Sequence, residues 1–332
     1  MVANMIYGKK EVIILIYRIL AEYTDEDHYL TQADIIDKLY QLYGVTVERK
    51  SVASSLEILQ ELDYDIVKNG RMGYALYSRL LEDYEIKYIN DALFSSKSIT
   101  GKQTIAISNK LNSTLSRYKR KQYNYLYKST SINRTSNEEI FYNIDLIQEA
   151  ILNNKKISFQ YITYDENGKE VLRHNGFRFI ISPYYLINNF GKYYVLAHYR
   201  DKYKAIQNYR LDYVRNVEIE NEDAVPLKSL EGMANFDIAK YINEHVYLFS
   251  EEVVTAKIQI LETYAIQYLY DYFGSDVRLF KEDGKLYTRI RSSAYALYFW
   301  ILQYGNAIKL IEPDDLVNRI KEHYEKEITK YQ

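Results

Sequence analysis

Residues 180–219, IISPYYLINNFGKYYVLAHYRDKYKAIQNYRLDYVRNVEI, constrain the fold more than any other stretch, because they place an aromatic strand pair and an Arg-Leu-Asp element on one short β-module. Asn188-Asn189-Phe190-Gly191 supplies a tight turn between the strands. On the strand that follows, period two separates Tyr194, Leu196 and His198 from Tyr193, Val195 and Ala197. One set therefore faces a core and the other a surface. Arg210, with Asp212 two residues on, is equally the composition of an internal salt bridge that closes the sheet.

With 332 residues, 47% of them apolar, the chain is long enough to bury several cores, and two to four domains are expected. Cysteine is absent, which removes disulfides, thiolate metal sites and a cysteine nucleophile, and fits a reducing compartment. The apolar run Val12 to Ile16 is short and followed by Arg18, so neither a membrane span nor a signal peptide is expected and a cytoplasmic location is. The net charge of -2 hides an asymmetry. From Ala92 to Asn137 there is no Asp or Glu, whereas Lys97, Lys102, Lys110, Arg117, Lys119, Arg120, Lys121, Lys128 and Arg134 give +9. Such a block is either a solvated basic linker or a polyanion contact, and the interleaved Tyr118, Tyr123, Tyr125 and Tyr127 add faces on which bases stack.

Upstream, residues 9 to 78 carry the pattern of a winged helix-turn-helix. Val12, Ile16, Ile19 and Leu20 recur at helical spacing. Thr31 is the expected N-cap of a second helix with a buried stripe of Ile35, Ile36, Leu39, Leu42 and Tyr43, stopped by Gly44. Thr46 is the expected cap of a third helix with core face Val52, Leu56, Leu59 and Leu62. Its opposite face carries Lys50, Ser51 and Ser54, with Arg49 nearer the seam, the side chains a major groove would meet. Strand patterns at Tyr64 to Lys68 and Tyr74 to Ser78 flank Asn69-Gly70-Arg71-Met72-Gly73, a hairpin wing whose Lys68 and Arg71 suit phosphate contacts. Against this, residues 1–78 hold eight Lys or Arg and twelve Asp or Glu, so binding to duplex DNA requires the acids to lie away from the reading face, and a winged helix used for protein contacts is the competing reading.

Ser182-Pro183-Tyr184, the turn to Gly191, Tyr193-Tyr194-Val195 and Arg210-Leu211-Asp212-Tyr213-Val214 follow the order and spacing of the WYL domain, which this module resembles. The family Trp is Tyr193 here, and the second Arg of its Arg-Leu-Asp-Arg strand is Tyr213. Likewise Glu48-Arg49-Lys50-Ser51-Val52-Ala53-Ser54-Ser55-Leu56, with Gly73-Tyr74 in the wing, is similar to the start of WYL-domain transcription regulators, with Ser54 where the family has its second Arg. The linker text Ser95-Ser96-Lys97-Ser98-Ile99 continues the match, which extends over nearly the whole sequence. The resemblance implies a small Sm-like β-barrel in which Tyr193 and Val195 pack while Ser182, Tyr194 and Arg210 face a ligand. Arg215 is the natural substitute for the missing Arg, and His198 is a weaker candidate that packing also explains.

Ser136-x-x-Glu139 reads as a capping box for a helix with stripe Ile140, Ile144, Ile147 and Ile151. Glu251 to Gln332 alternates strand, helix, two strands, helix, strand and helix, a ferredoxin-like α+β pattern in which Ile266, Leu269, Tyr270 and Phe273 are read as a core face rather than a ligand groove. The histidines show no i, i+4 pairing and no phosphate loop or nucleophile elbow occurs, so no catalytic residue, metal or cofactor is expected. The fold expectation is multidomain α+β: a winged helix-turn-helix over 1–80, a basic helical linker over 81–135, the WYL module over 136–225 and the C-terminal domain over 245–332. The functional expectation is a ligand-responsive DNA-binding regulator, for example a repressor, with a double-stranded operator as partner, a single-stranded nucleic acid or nucleotide as ligand, and a homodimeric state. The runner-up is a nucleic-acid-binding accessory protein of a phage-defence or CRISPR system.

Overall fold

In the computed structural model, which describes residues 9–123, 134–199 and 206–332, the first apolar repeat forms helix α1, Lys9–Tyr23, with Val12, Ile16, Ile19 and Leu20 all buried. Lys128, Tyr125 and Tyr127 of the basic segment lie outside the described residues. Helix α2, Gln32–Tyr43, starts at a capping box in which Thr31 Oγ accepts the Asp34 amide and the Asp34 carboxylate accepts the Thr31 amide, and it ends at Gly44 with φ 68. Helix α3, Arg49–Glu61, begins later than Thr46, with Glu48 at its N-cap and no side-chain cap. The connection is longer because Val45 and Val47 are spent on the core beneath it. Leu42 and Leu62, expected in the buried stripes, are 46% and 62% exposed. Leu62 is already the C-cap of α3, where the helical period no longer directs its side chain inward.

Strands β1, Ile66–Asn69, and β2, Gly73–Leu76, pair antiparallel. Tyr74 exchanges backbone bonds with Leu30, so the hairpin is sewn to the segment before α2. Gly73 is required there: its φ is 109, and a Cβ would lie 2.2 Å from the Leu30 carbonyl oxygen. Helix α4, Asp83–Ser95, buries Ile86, Asn90 and Phe94 and leaves Tyr84 and Tyr88 73% and 77% exposed, and it packs against α5, Gly101–Asn112. A polar contact sets that face, because Asn90 donates to Asn112 at 2.8 Å and accepts from Ser108 at 2.7 Å, satisfying every one of these buried side chains. The short helix α6, Arg117–Arg120, follows. These elements form the first of two compact units, residues 1–138 and 139–332.

The second unit opens with α7, Ile140–Leu152, which has Glu139 as N-cap without a side-chain cap. The N-cap is thus Glu139 rather than the expected Ser136, and the Asn137 amide donates to Thr135 Oγ. Strands β3 (Lys155–Tyr164), β4 (Glu170–Leu172), β5 (Arg178–Asn189), β6 (Lys192–His198), β7 (Gln207–Arg210) and β8 (Val214–Asp223) build a six-stranded sheet in the order β4-β3-β5-β6-β7, with β8 also paired to β3. All its pairings are antiparallel. Helix α8, Ile238–Glu244, packs on the sheet, where Tyr241 and Leu248 cover Leu196 and Ile206.

The chain then runs through β9 (Val253–Ile260), α9 (Ala265–Phe273), β10 (Leu279–Glu282), β11 (Lys285–Ser293), α10 (Ala294–Tyr304), β12 (Ile308–Glu312) and α11 (Asp314–Thr329). The four strands order as β10-β11-β9-β12, antiparallel throughout. Their core centres on Trp300, 1% exposed, with Ile258, Leu269 and Leu297 around it. The architecture is mixed α+β, and among the described residues no helix is long and apolar enough to cross a membrane.

Candidate functional site

Cross-strand register brings the first two candidates together. Tyr194 on β6 stands opposite Arg210 at the end of β7. Arg210 donates through Nε and Nη2 to the Asp212 carboxylate, at 3.1 and 2.5 Å, and its guanidinium lies 4.2 Å above the Tyr213 ring. Its backbone amide donates to the Tyr161 hydroxyl at 3.1 Å. Of these residues, Tyr161, Tyr194 and Arg210 open onto a cavity of about 720 Å³, and Asp212 and Tyr213 stand behind Arg210 outside its lining. Tyr161, Tyr194 and Arg210 form the sheet side, and Tyr247, Tyr272 and Phe299 come from the C-terminal part of the chain. Two amides fix the far wall in place: Asn189 donates to the Val246 carbonyl at 2.8 Å, and Asn208 donates to the Leu248 carbonyl at 3.0 Å.

The electrostatics follow from burial. Desolvation pushes the Tyr161 and Tyr194 hydroxyls above the usual phenol range, so both remain neutral donors at neutral pH. Burial works against the charge of Arg210, but the hydrogen bond and charge of Asp212 outweigh it and hold the guanidinium above its ordinary value. An aromatic cavity with neutral hydroxyls and a neutralised guanidinium is built for stacking and hydrogen bonding.

The remaining ligand candidates lie elsewhere. Ser182 and His198 are cross-strand partners, both buried, and the Ser182 hydroxyl accepts the Val225 amide at 3.0 Å. They line a separate cavity of about 550 Å³ together with Lys156 and Arg178. His198 shares a face with Tyr194 but stands four residues along β6, roughly 13 Å away. Leu196 between them is fully buried under Tyr241 and Leu248, which divides the face in two. Arg215 reaches neither cavity lining, since it donates to the Asp212 carbonyl at 2.7 Å and to the Glu170 carboxylate at 2.9 Å. On the opposite face Val195 is buried, but Tyr193 is only half-buried and not the core residue expected. Sequence reading missed the far wall. Tyr272 sits on the helix read as a core face, where Leu269 is buried and the neighbouring Tyr272 reaches the cavity.

Residues 142–219 match the family model described as the WYL domain. This segment is a WYL domain. It contains Ser182, Tyr194, His198, Arg210 and Arg215, whereas Tyr247, Tyr272 and Phe299 follow the WYL domain in the chain. Among solved structures, the chain is similar to proteasome accessory factor B/C (PafBC) of Arthrobacter aurescens, at 16% identity and a TM-score of 0.29 over 98% of this chain and 49% of that one. It therefore spans about half the length of that relative. A CRISPR Cas-related protein is similar at 14% identity and a TM-score of 0.39, covering 97% of this chain and 85% of that one. No curated protein matches.

In the unit that precedes the WYL domain, Arg49, Lys50 and Ser54 of α3 are exposed and Ser51 is partly so. Arg49 is steadied by the side chain of Gln32 on α2, its Nε donating at 2.7 Å. Lys68 and Arg71 are exposed at the hairpin, and Lys68 lies 5.6 Å from the Tyr74 ring centre. The basic segment is partly turned inward. Lys119 pairs with Asp83 at 2.5 Å and Glu26 at 3.2 Å, and Arg120 with Glu22 at 2.7 Å. Arg134 donates to the Phe94 and Ser96 carbonyls that end α4. Tyr118 stacks on His28 with ring centres 3.6 Å apart, and Asp25 accepts from both His28 and Ser116. Glu22 and Glu26 thus meet cations of the linker within the same unit, and Asp25 meets its Ser116 hydroxyl. Lys97, Lys102, Lys110 and Lys121 remain exposed. Among the described residues no group of His, Cys, Asp or Glu is placed to hold a metal ion.

Proposed function

We propose that this chain is a ligand-responsive DNA-binding transcription regulator, in which the WYL domain takes a nucleotide or single-stranded nucleic acid into the aromatic cavity. The observation that carries the reading is the meeting of Tyr194 and Arg210 on a cavity of about 720 Å³ walled by further aromatics from outside the WYL domain. Aromatic faces bind bases at about 1–3 kcal/mol each, and a guanidinium with hydroxyl donors suits a sugar-phosphate.

The first unit is taken as a winged helix-turn-helix. Its capped α2, the turn at Gly44, the exposed cationic start of α3 and the hairpin held by Gly73 support that reading. Arg49, Lys50, Ser51 and Ser54 then read the major groove, and Lys68 and Arg71 hold phosphates. Pairing of Glu22 and Glu26 with linker cations, and of Asp25 with Ser116, offsets part of the acidic excess of this unit, although Glu57 stays exposed on the same face of α3 as Lys50 and Ser54. The WYL sheet is taken as a small Sm-like barrel and the C-terminal sheet, with its order β10-β11-β9-β12, as ferredoxin-like. A homodimer places two heads about 34 Å apart on an inverted repeat, and ligand binding acts by favouring one arrangement of the heads. The protein acts without catalysis.

The test is to recover and sequence the DNA that accompanies the protein in its host, then titrate that duplex with and without a fluorescent hexathymidylate. A palindromic site bound by a particle of twice 39.5 kDa, with affinity altered by the oligonucleotide, is expected. A monomer that binds no duplex overturns the reading.

A further inference from the structure

Arg210 is the cation at the meeting point of β6 and β7, yet its charge is already answered from within the chain. Two of its five N–H groups, on Nε and Nη2, are taken by Asp212 two residues on. The Asp212 side chain is 10% exposed and that of Arg210 is 26% exposed, so solvent screens the pair incompletely. The Tyr213 ring lies under the guanidinium, and Arg215 donates to the Asp212 backbone carbonyl at 2.7 Å, so the guanidinium and the backbone that carries the carboxylate are both held in place. An incoming phosphate therefore meets a guanidinium-carboxylate dipole rather than a full positive charge.

Resting on the cavity reading above, we infer that Asp212 is a specificity-determining residue that competes with the ligand for Arg210. By cancelling the charge it makes the cavity select ligands by the stacking of their bases and reject small charge-dense anions. The aromatic walls, with Tyr161 and Tyr194 on the sheet side and Tyr247 and Phe299 opposite, then supply most of the affinity. Lys192 adds a further cation to the lining, but Arg210 is the group whose charge a single side chain controls.

The experiment measures fluorescein-labelled hexathymidylate binding to the full-length protein, with inorganic tripolyphosphate as competitor. Wild type is expected to bind the oligonucleotide with a shallow salt dependence and to be insensitive to tripolyphosphate. Asp212→Asn keeps an acceptor oxygen and the shape while removing the charge. It should tighten oligonucleotide binding about fivefold, the equivalent of about 1 kcal/mol for one partly exposed pair, steepen the salt dependence and allow tripolyphosphate to compete. In the Arg210→Ala background, where the substitution only relieves repulsion between the bare carboxylate and the ligand, the salt dependence should stay shallow and tripolyphosphate should still fail to compete. Weaker binding by Asp212→Asn, or competition by tripolyphosphate that appears equally without Arg210, overturns the inference. If Tyr194→Ala leaves wild-type binding unchanged, the cavity reading itself fails, which is a different result. Asp212→Ser provides a second charge-removing variant should the asparagine protein not fold by circular dichroism, with the same outcomes deciding.

Discussion

Asp25→Ala should separate the α1-α2 turn from the linker that follows the hairpin. The carboxylate is 1% exposed and accepts the Ser116 hydroxyl at 2.5 Å, His28 Nδ1 at 2.6 Å and the Asp27 amide at 3.1 Å. A hydrogen bond to a charged group contributes about 1.5–3 kcal/mol net. The Ser116 bond is buried and takes roughly 2 kcal/mol of that range. The His28 side chain is 42% exposed, so its share is discounted to about 1 kcal/mol. The total, about 3 kcal/mol, agrees with the low end for breaking a buried polar pair. For a unit of this size it corresponds to a fall of about 10 °C in the melting temperature of its transition. Urea unfolding of the full chain, followed by circular dichroism, should show the loss, and Ser116→Ala should cost roughly 2 kcal/mol. A double-mutant cycle then gives a coupling of about 1–3 kcal/mol between the two positions. A loss under about 1 kcal/mol for Asp25→Ala would refute the claim that this carboxylate fastens the linker to the turn.

Burial opposes ionisation of Asp25, but bonds from Ser116 and His28 outweigh it and hold its carboxyl below the ordinary value. That contribution is fully present above about pH 4 and is lost as pH falls through the lower folded value, so Asp25→Asn should lack the wild-type component of acid destabilisation in pH-dependent urea titrations. Gly73→Ala meets both a φ of 109 and a Cβ 2.2 Å from the Leu30 carbonyl oxygen, and should cost at least about 2 kcal/mol and weaken duplex binding, whereas Gly70→Ala, with open space around it, should be milder in the same melts. Replacing Lys50 and Ser54 together by Ala should cost about 1–3 kcal/mol per lost base contact on a cognate duplex and little on a scrambled one, while Lys68→Ala or Arg71→Ala should weaken both alike in fluorescence titrations. Unchanged cognate affinity in the double variant removes α3 from the reading face.

What the sequence determined by itself was local. The 3.6-residue period of Val12, Ile16, Ile19 and Leu20 located α1, Thr31 and Gly44 bracketed α2, and the alternation read over Glu251 to Gln332 gave the order of elements from β9 to α11, because caps, turns and periodicity act over a few residues. The order of elements in the WYL domain and the meeting of Tyr194 with the Arg-Leu-Asp element came instead from the resemblance to that family, which also placed Ser182 beside them. Tertiary structure alone decided the rest. It gave the cavity its far wall from Tyr247, Tyr272 and Phe299, and it parted Ser182 and His198 from Tyr194 by burying Leu196 between them. It also rotated α4 so that Asn90 met Ser108 and Asn112 while Tyr84 and Tyr88 faced outward, and it turned Lys119, Arg120 and Arg134 of the basic block onto internal acceptors. Periodicity states which face of an element is apolar. Which distant side chain completes a polar pair or a cavity wall depends on how whole elements pack, and no window of neighbouring residues contains that information.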